Sequence, residues 1–156
     1  MVAIIAIATG AVMLQIRLPP SGDPATVAQR VAHTMQSALD EAIFNGRNLA
    51  LTFSREGTAV LEYNEADRTW SRVKQPEGLA DTISFSEVAP TIVIEGRQIS
   101  LAPKLSGDKP DAFILSSGET SPFRMTLVAA NNRGGPLAIV DVDPYGRVTL
   151  PPQPGG

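Results

Sequence analysis

Cysteine and histidine, the residue types most often used as nucleophile, general base or metal ligand, are nearly absent from this sequence. The chain has no cysteine and one histidine, His33, which excludes a thiolate nucleophile and any metal site that needs two histidines from this chain. His33 lies between Ala32 and Thr34, and no motif offers it the nucleophile or carboxylate partner that a general base requires. We therefore expect His33 to face solvent or another subunit.

Two other segments bring hydroxyls or carboxylates together. The Ser-Ser-Gly-Glu run at 116–119 lacks the Gly-x-Ser-x-Gly elbow of a serine nucleophile, and no histidine follows a nearby strand to act as its base. The carboxylates of Asp141 and Asp143 lack the spacing and the distal glutamate of an EF-hand loop. Both segments are better explained as turns, the second through the Asp-Pro-Tyr-Gly sequence at 143–146. We predict no catalytic residue, no metal site and no cofactor.

The composition describes a folded domain preceded by an apolar run. The chain has 156 residues, 43% of them hydrophobic, and a net charge of −3, a balance that disfavours a nucleic-acid binder. Residues 1–14 carry no charge, although about 20 apolar residues are needed to cross a bilayer. A signal-peptide core would need a basic region before it and a small-residue cleavage site after it, and neither is found. The alternatives are a buried core helix and part of a longer membrane helix, and we expect the latter.

An amphipathic helix is predicted next. Two prolines and a glycine between Leu18 and Asp23 interrupt any helix, after which Asp23 suits an N-cap and Pro24 the first helical position. The helix should run to about Phe44 and stop at Asn45-Gly46, where positive φ is tolerated. One face of it is apolar at three- and four-residue steps: Val27, Val31, Met35, Ala38, Leu39 and Ala42.

Beyond Gly46 the pattern becomes that of β-strands. Alternation and turn residues predict a hairpin turn at Arg55–Gly57 and a series of short strands. We expect the two strands joined by the 116–122 link to be neighbours in one sheet, with their apolar sides under the helix. The first contains Phe113 and Leu115, and the second begins with Phe123. The expected fold is α+β, a long helix packed on an antiparallel sheet. The predicted strands are 49–53, 59–63, 70–73, 82–85, 91–94, 98–101, 112–115, 123–129, 137–142 and 147–150.

This order of elements, together with local motifs, resembles the pseudopilin H family of the type II secretion system. The most specific match is Phe113–Leu127, in which a strand, Ser-Ser-Gly-Glu, Pro-Phe and another strand follow one another. Similar too are Leu39–Gly46, Tyr63–Trp70 and Asp143–Arg147, the last like the closing hairpin of pilin-like domains. The resemblance covers nearly the whole chain. It implies a type IV pilin-like fold in which the first half of the long helix is transmembrane.

The resemblance also implies a function in assembly rather than catalysis. It describes a minor pseudopilin at the tip of a periplasmic pseudopilus that supports the export of folded proteins across the outer membrane. The implied partners are other minor pseudopilins, the major pseudopilin, the exoprotein cargo and the secretin, with no nucleic acid among them. The implied location is the bacterial inner membrane, crossed once, with the globular domain in the periplasm.

Family precursors carry a basic leader and a Gly-Phe-Thr-Leu motif with a glutamate before the apolar run. A prepilin peptidase cuts after that glycine and methylates the new N-terminus. We expect in-frame codons just upstream to encode these residues. The domain division that follows is a membrane-helix segment at 1–18, a globular domain at 19–150 and a flexible tail at 151–156.

The second candidate is a minor pilin of a type IV pilus, including the branch that takes up DNA. Such a subunit should have a basic C-terminal region for phosphate contacts, whereas 137–156 holds two aspartates against Arg147. An enzyme is a distant third. The residues predicted for packing or for subunit interfaces are Ile4, Ile7, Val12, Val27, Val31, Met35 and Leu39, without a division between the two roles. A structural loop is predicted from Ser116, Ser117, Gly118, Glu119, Pro122 and Phe123.

Overall fold

The computed structural model describes residues 22–131, 134–135 and 137–152. The predicted membrane segment at 1–18, with Ile4, Ile7 and Val12, lies outside the described residues, as does 153–156 of the predicted tail. Within the described ranges, no helix combines the length and the apolar character that crossing a membrane requires.

The first element is the 22-residue helix α1 (Pro24–Asn45). Asp23 precedes it in an extended conformation, and its carboxylate accepts a hydrogen bond from the Thr26 N–H at 3.3 Å. Gly46 ends the helix with φ +64°, and its N–H donates to the Ala42 carbonyl. The predicted cap, proline start and glycine stop are all confirmed.

Among the described residues, ten strands and one further helical turn follow α1. Three strands have the predicted bounds, 49–53, 123–129 and 137–142, and the other seven overlap their predicted ranges. The helical turn was not predicted. The elements are β1 (Leu49–Phe53), β2 (Gly57–Asn64), β3 (Thr69–Arg72), α2 (Glu77–Ala80), β4 (Ile83–Ser84), β5 (Val88–Ile94), β6 (Arg97–Gln98), β7 (Ala112–Ile114), β8 (Phe123–Ala129), β9 (Leu137–Val142) and β10 (Val148–Thr149).

The strands form two antiparallel sheets rather than the single sheet expected. The first sheet has the order β3-β2-β1-β7, with β4 also paired to β2, and the second has the order β10-β9-β8-β5-β6. In the first, β1 and β2 form a hairpin in which Leu51 faces Val60. In the second, β8 lies between β5 and β9, with Met125 facing both Ile92 and Val140.

Helix α1 packs mainly on β9 and also touches β8 and β10. Burying one large aliphatic side chain contributes about 1.5–3 kcal/mol, so this contact is a principal source of stability. Five of the six residues of the predicted apolar face are buried here, and Leu39 is partly buried. The buried residues of the helix are Pro24, Val27, Ala28, Val31, Met35, Ala38 and Ala42.

The expectation that the strands flanking the 116–122 link are neighbours is wrong. β7 pairs with β1 in the first sheet, whereas β8 belongs to the second. Phe113 and Leu115 were expected to face the core, but Ile114 is fully buried instead. Every residue from 112 to 115 is apolar, so alternation could not fix which side of this short strand faces inward. Phe123 is buried as predicted.

Candidate assembly surface

The predicted helix face divides between core and surface in a way that the sequence left open. The side chains of Val27, Val31 and Met35 are 1–2% exposed beneath the second sheet, so they hold the domain together and are not available to a partner. Leu39 is partly buried and packs against the same core. The exposed side of the helix carries His33 and other polar side chains along most of its length.

The last turn of α1 differs from the rest of its exposed side. Ile43 is 47% exposed and Phe44 is 83% exposed. A Cβ built on Gly118 would lie 3.5 Å from the Ile43 Cδ1 atom, so this turn lies beside the 116–122 loop. The apolar end of the helix and the most family-like loop therefore share one region of the surface.

That helix end is fixed to the first sheet by a charged cluster. Arg47 bonds Glu41 of α1 at 2.6 Å and makes a two-pronged contact with Glu62 of β2. It also donates to the Gln75 carbonyl at 3.2 Å. The hydrogen bond from Arg47 lowers the pKa of the Glu41 carboxyl, and its bond to Glu62 raises the pKa of Arg47. The cluster thus sets where the exposed apolar turn lies relative to the sheet.

Backbone and side-chain hydrogen bonds fix the conformation of the 116–122 loop. Gly118 has φ +91°, which favours glycine, and its N–H donates to the Leu115 carbonyl at 2.9 Å. The buried Thr120 hydroxyl donates to the Asp143 carbonyl at 2.7 Å, and its N–H donates to the Pro144 carbonyl at 3.0 Å. These bonds attach the link between the sheets to the β9–β10 turn.

The serines of this loop have structural surroundings. The Ser116 N–H donates to Asn48 Oδ1 at 3.1 Å, and the Ser117 hydroxyl accepts the Glu119 N–H at 3.4 Å. Within the described part of the chain, neither hydroxyl bonds a carboxylate or an imidazole, the contacts through which a serine is activated. The geometry therefore offers a rigid loop with an exposed carboxylate at Glu119.

The β9–β10 turn presents one aromatic ring to solvent. Asp143 Oδ1 accepts the N–H groups of Tyr145 and Arg147 at 2.8 and 2.9 Å. Gly146 has φ +79°, and a Cβ there would lie 2.5 Å from Leu39 Cδ2. Tyr145, in the same turn, is 81% exposed. The other carboxylate of this pair, Asp141, bonds Arg124 at 2.5 Å, so both aspartates have protein partners.

A row of three aromatic rings lies on the side of the first sheet that faces away from the second. Tyr63 and Trp70 are 5.2 Å apart between ring centroids, and Trp70 and Phe113 are 5.7 Å apart. The row crosses the fully buried Ala50 and Leu61. Sequence reasoning missed it, although the Tyr63–Trp70 segment was among the family-like motifs. Phe113 joins the row only through the pairing of β7 with β1.

Where this row ends, a groove of about 460 Å³ opens at the edge of the first sheet, between β7, the 116–122 loop and the β5–β6 and β9–β10 turns. Its apolar wall includes Phe113, Leu115 and Tyr145, which are 40%, 36% and 81% exposed. Contiguous exposed apolar surface of this kind marks interaction sites in soluble domains. We call it the inter-sheet groove, and its lining consists of Glu95, Phe113, Leu115, Glu119, Thr120, Ser121, Pro144 and Tyr145.

Comparisons with known proteins agree with this architecture. The family described as "Type II transport protein GspH" matches residues 27–146. Type II secretion system protein H of Pseudomonas aeruginosa is 32% identical over 117 residues, which cover 72% of this chain and 67% of that protein.

Two solved structures share the fold. The minor pseudopilin EpsH of Vibrio cholerae superposes with a TM-score of 0.65 at 19% identity, covering 82% of this chain and 96% of the other. The solution structure of E. coli GspH gives a TM-score of 0.59 at 18% identity, with 80% and 84% covered.

Proposed function

This chain belongs to the GspH family, the minor pseudopilins H of the type II secretion system, and from that premise we propose that the inter-sheet groove and its aromatic row dock a neighbouring pseudopilin. A subunit of this kind works among other pseudopilins, and the family is structural rather than enzymatic. The type IV pilus alternative is not favoured, because the matches name type II secretion.

One observation supports the choice of surface. Phe113, Leu115 and Tyr145 are held exposed by rigid turns rather than by loose chain. The turns are fixed by Gly118, by Gly146 and by the Thr120 bonds to the β9–β10 turn, so the wall is organised before a partner arrives. Preorganised aromatic surface loses little entropy on binding and is typical of interface centres. Removing it from water in a filament would stabilise the assembly.

The remaining details of the assembly form part of the same proposal. Type II secretion pseudopilins are associated with the inner membrane and the periplasm, and we place residues 1–18 in a membrane helix, 19–150 in the periplasm and 151–156 in a loose tail. The apolar run at 1–14 and the polar outer face of α1 support this placement. Tip-complex membership, contacts with cargo and secretin, and peptidase processing with methylation follow the family resemblance.

A pair of surface variants tests the docking surface. Tyr145→Ala combined with Leu115→Ser should leave the domain folded and lower the melting temperature by only a few degrees, because Tyr145 is 81% exposed and Leu115 is 36% exposed. The variant should nevertheless reduce secretion of folded exoproteins in cells that lack the wild-type gene. His33→Ala, on the polar side of α1, is the matched control and should secrete normally. Normal secretion by the double variant at wild-type abundance would refute the proposed surface.

A further inference from the structure

The turn between β5 and β6 holds a glutamate where its backbone favours another residue. Ile94 and Arg97 are paired, which leaves a two-residue turn of Glu95 (φ +49°) and Gly96 (φ +79°). Positive φ at both central positions is the geometry of a type I′ turn, which prefers Asn-Gly. A glutamate in this region is uncommon and strained. Backbone strain of this kind clusters at functional sites. Arg68 in the β2–β3 turn has a similar φ of +54°, so the position of Glu95 beside the groove is what distinguishes it.

The same backbone is fixed against the inter-sheet groove. The Glu95 N–H donates to the Pro122 carbonyl at 3.0 Å. Glu95 lines both the inter-sheet groove and an adjoining cavity of about 400 Å³ that includes Arg124 and Asp141. The turn therefore holds one exposed carboxylate at the edge of two apolar depressions.

No cation within the described ranges neutralises that carboxylate. The side chains of Glu95 and Glu119, the two acidic residues of the groove, form neither a hydrogen bond nor an ion pair with another described residue. Arg124 lies close in the adjoining cavity but is paired with Asp141 at 2.5 Å. The groove thus combines an apolar aromatic wall with two unpaired negative charges.

We infer that the inter-sheet groove receives a lysine or arginine side chain, flanked by apolar residues, from the neighbouring pseudopilin. This inference rests on the proposed docking function and specifies the chemistry of its partner. Docking excludes water, and a carboxylate removed from water must be paired. The aliphatic stem of such a cation suits the wall of Phe113 and Tyr145, whose ring faces attract positive charge. An acidic partner would be repelled from the same groove.

Opposite effects on stability and binding provide the first test. Glu95→Asn removes the carboxylate and introduces the residue that the turn prefers. Its melting temperature should rise by about 2–4 °C because the backbone strain is relieved, while its affinity for the partner falls. Glu65→Gln is the control, because Glu65 is exposed in the β2–β3 turn, outside the groove, and should change neither quantity. Unchanged affinity in Glu95→Asn would overturn the inference.

Binding is measured with the full chain in detergent against each other purified pseudopilin of the same secretion system. Glu95→Gln should weaken the complex roughly tenfold and reduce its salt dependence, as expected for a charge pair at an interface. Glu95→Lys should weaken it on the order of a hundredfold. A partner variant in which one lysine or arginine is replaced by glutamate should then bind the Glu95→Lys chain more tightly than the wild-type partner does.

The outcomes separate this inference from the proposed function. If the affinity falls in the Tyr145→Ala, Leu115→Ser variant but is unchanged by Glu95→Gln, by Glu95→Lys and by salt, the cation inference is overturned. The proposed docking surface then remains. If no pseudopilin binds the wild-type chain, and the same double variant secretes normally, the docking surface itself is refuted.

Discussion

Substitution of Phe123 should be among the most damaging single changes in the domain. Phe123 begins the central strand β8 of the second sheet and is 3% exposed. Its ring meets Phe53 of the first sheet edge-on, with centroids 5.5 Å apart and planes at 61°. The pair therefore joins the two sheets directly.

The cost of Phe123→Ala follows from this burial. Truncating a fully buried phenylalanine costs about 3–5 kcal/mol, from lost transfer energy and the cavity that remains. The edge-to-face pair accounts for about 0.5–1.5 kcal/mol within that range. The free energy of unfolding of a domain of this size is only about 5–15 kcal/mol. At roughly 2–4 °C for each kcal/mol, the melting temperature should fall by about 6–20 °C.

The assay compares this variant with Ser116→Ala combined with Ser117→Ala. Thermal melting and urea titration give stability, and secretion in cells gives function. The serine variant should melt and secrete like wild type, because both residues are exposed and the bond to the Ser117 hydroxyl is 3.4 Å long. The structural interpretation of the loop is refuted if the serine variant melts normally but abolishes secretion while Phe123→Ala affects neither.

Two further predictions concern single contacts. Asp111 Oδ2 accepts the Phe53 N–H at 2.7 Å, and burial raises the pKa of the Asp111 carboxyl. A carboxyl whose pKa is raised in the folded state lowers the stability of the protein once the pH rises above the pKa of the unfolded state. Asp111→Asn should therefore increase the urea midpoint at pH 7 and leave it unchanged at pH 3. An increase of the same size at both pH values would contradict this. Gly146→Ala should cost about 1–3 kcal/mol from positive φ and the Leu39 clash, whereas Gly96→Ala, with the same φ but open space, isolates the backbone part. Equal losses in the two alanine variants would show that the Leu39 contact is not limiting.

Local signals sufficed to predict the two ends of α1 and the bounds of three strands. Asp23, Pro24 and Gly46 act within one turn of the helix, so the ends of α1 could be predicted from neighbouring residues alone. The strands 49–53, 123–129 and 137–142 coincide with the pattern because alternation and adjoining turn residues are also local. The Ser-Ser-Gly-Glu and Pro-Phe motifs carried the family resemblance, which the comparisons confirmed.

Sheet membership required the tertiary structure. A short link containing Gly118 and Pro122 is compatible with a hairpin and equally with a crossing between sheets. β7 pairs with β1, which lies far earlier in the chain, at Leu49–Phe53. No pattern within 112–115 identifies that partner. Since all four residues there are apolar, only the pairing decides that Ile114 faces inward and Phe113 outward.

The sequence by itself determined the helix, most strands, the family and the lack of catalytic motifs, because each depends on near neighbours or on residue types. Only the tertiary structure decided which apolar residues are core and which are surface. Val27, Val31 and Met35 became core once the second sheet covered them. Phe113, Leu115 and Tyr145 became an exposed wall because turns distant in sequence, each fixed by its own hydrogen bonds, meet where the two sheets join.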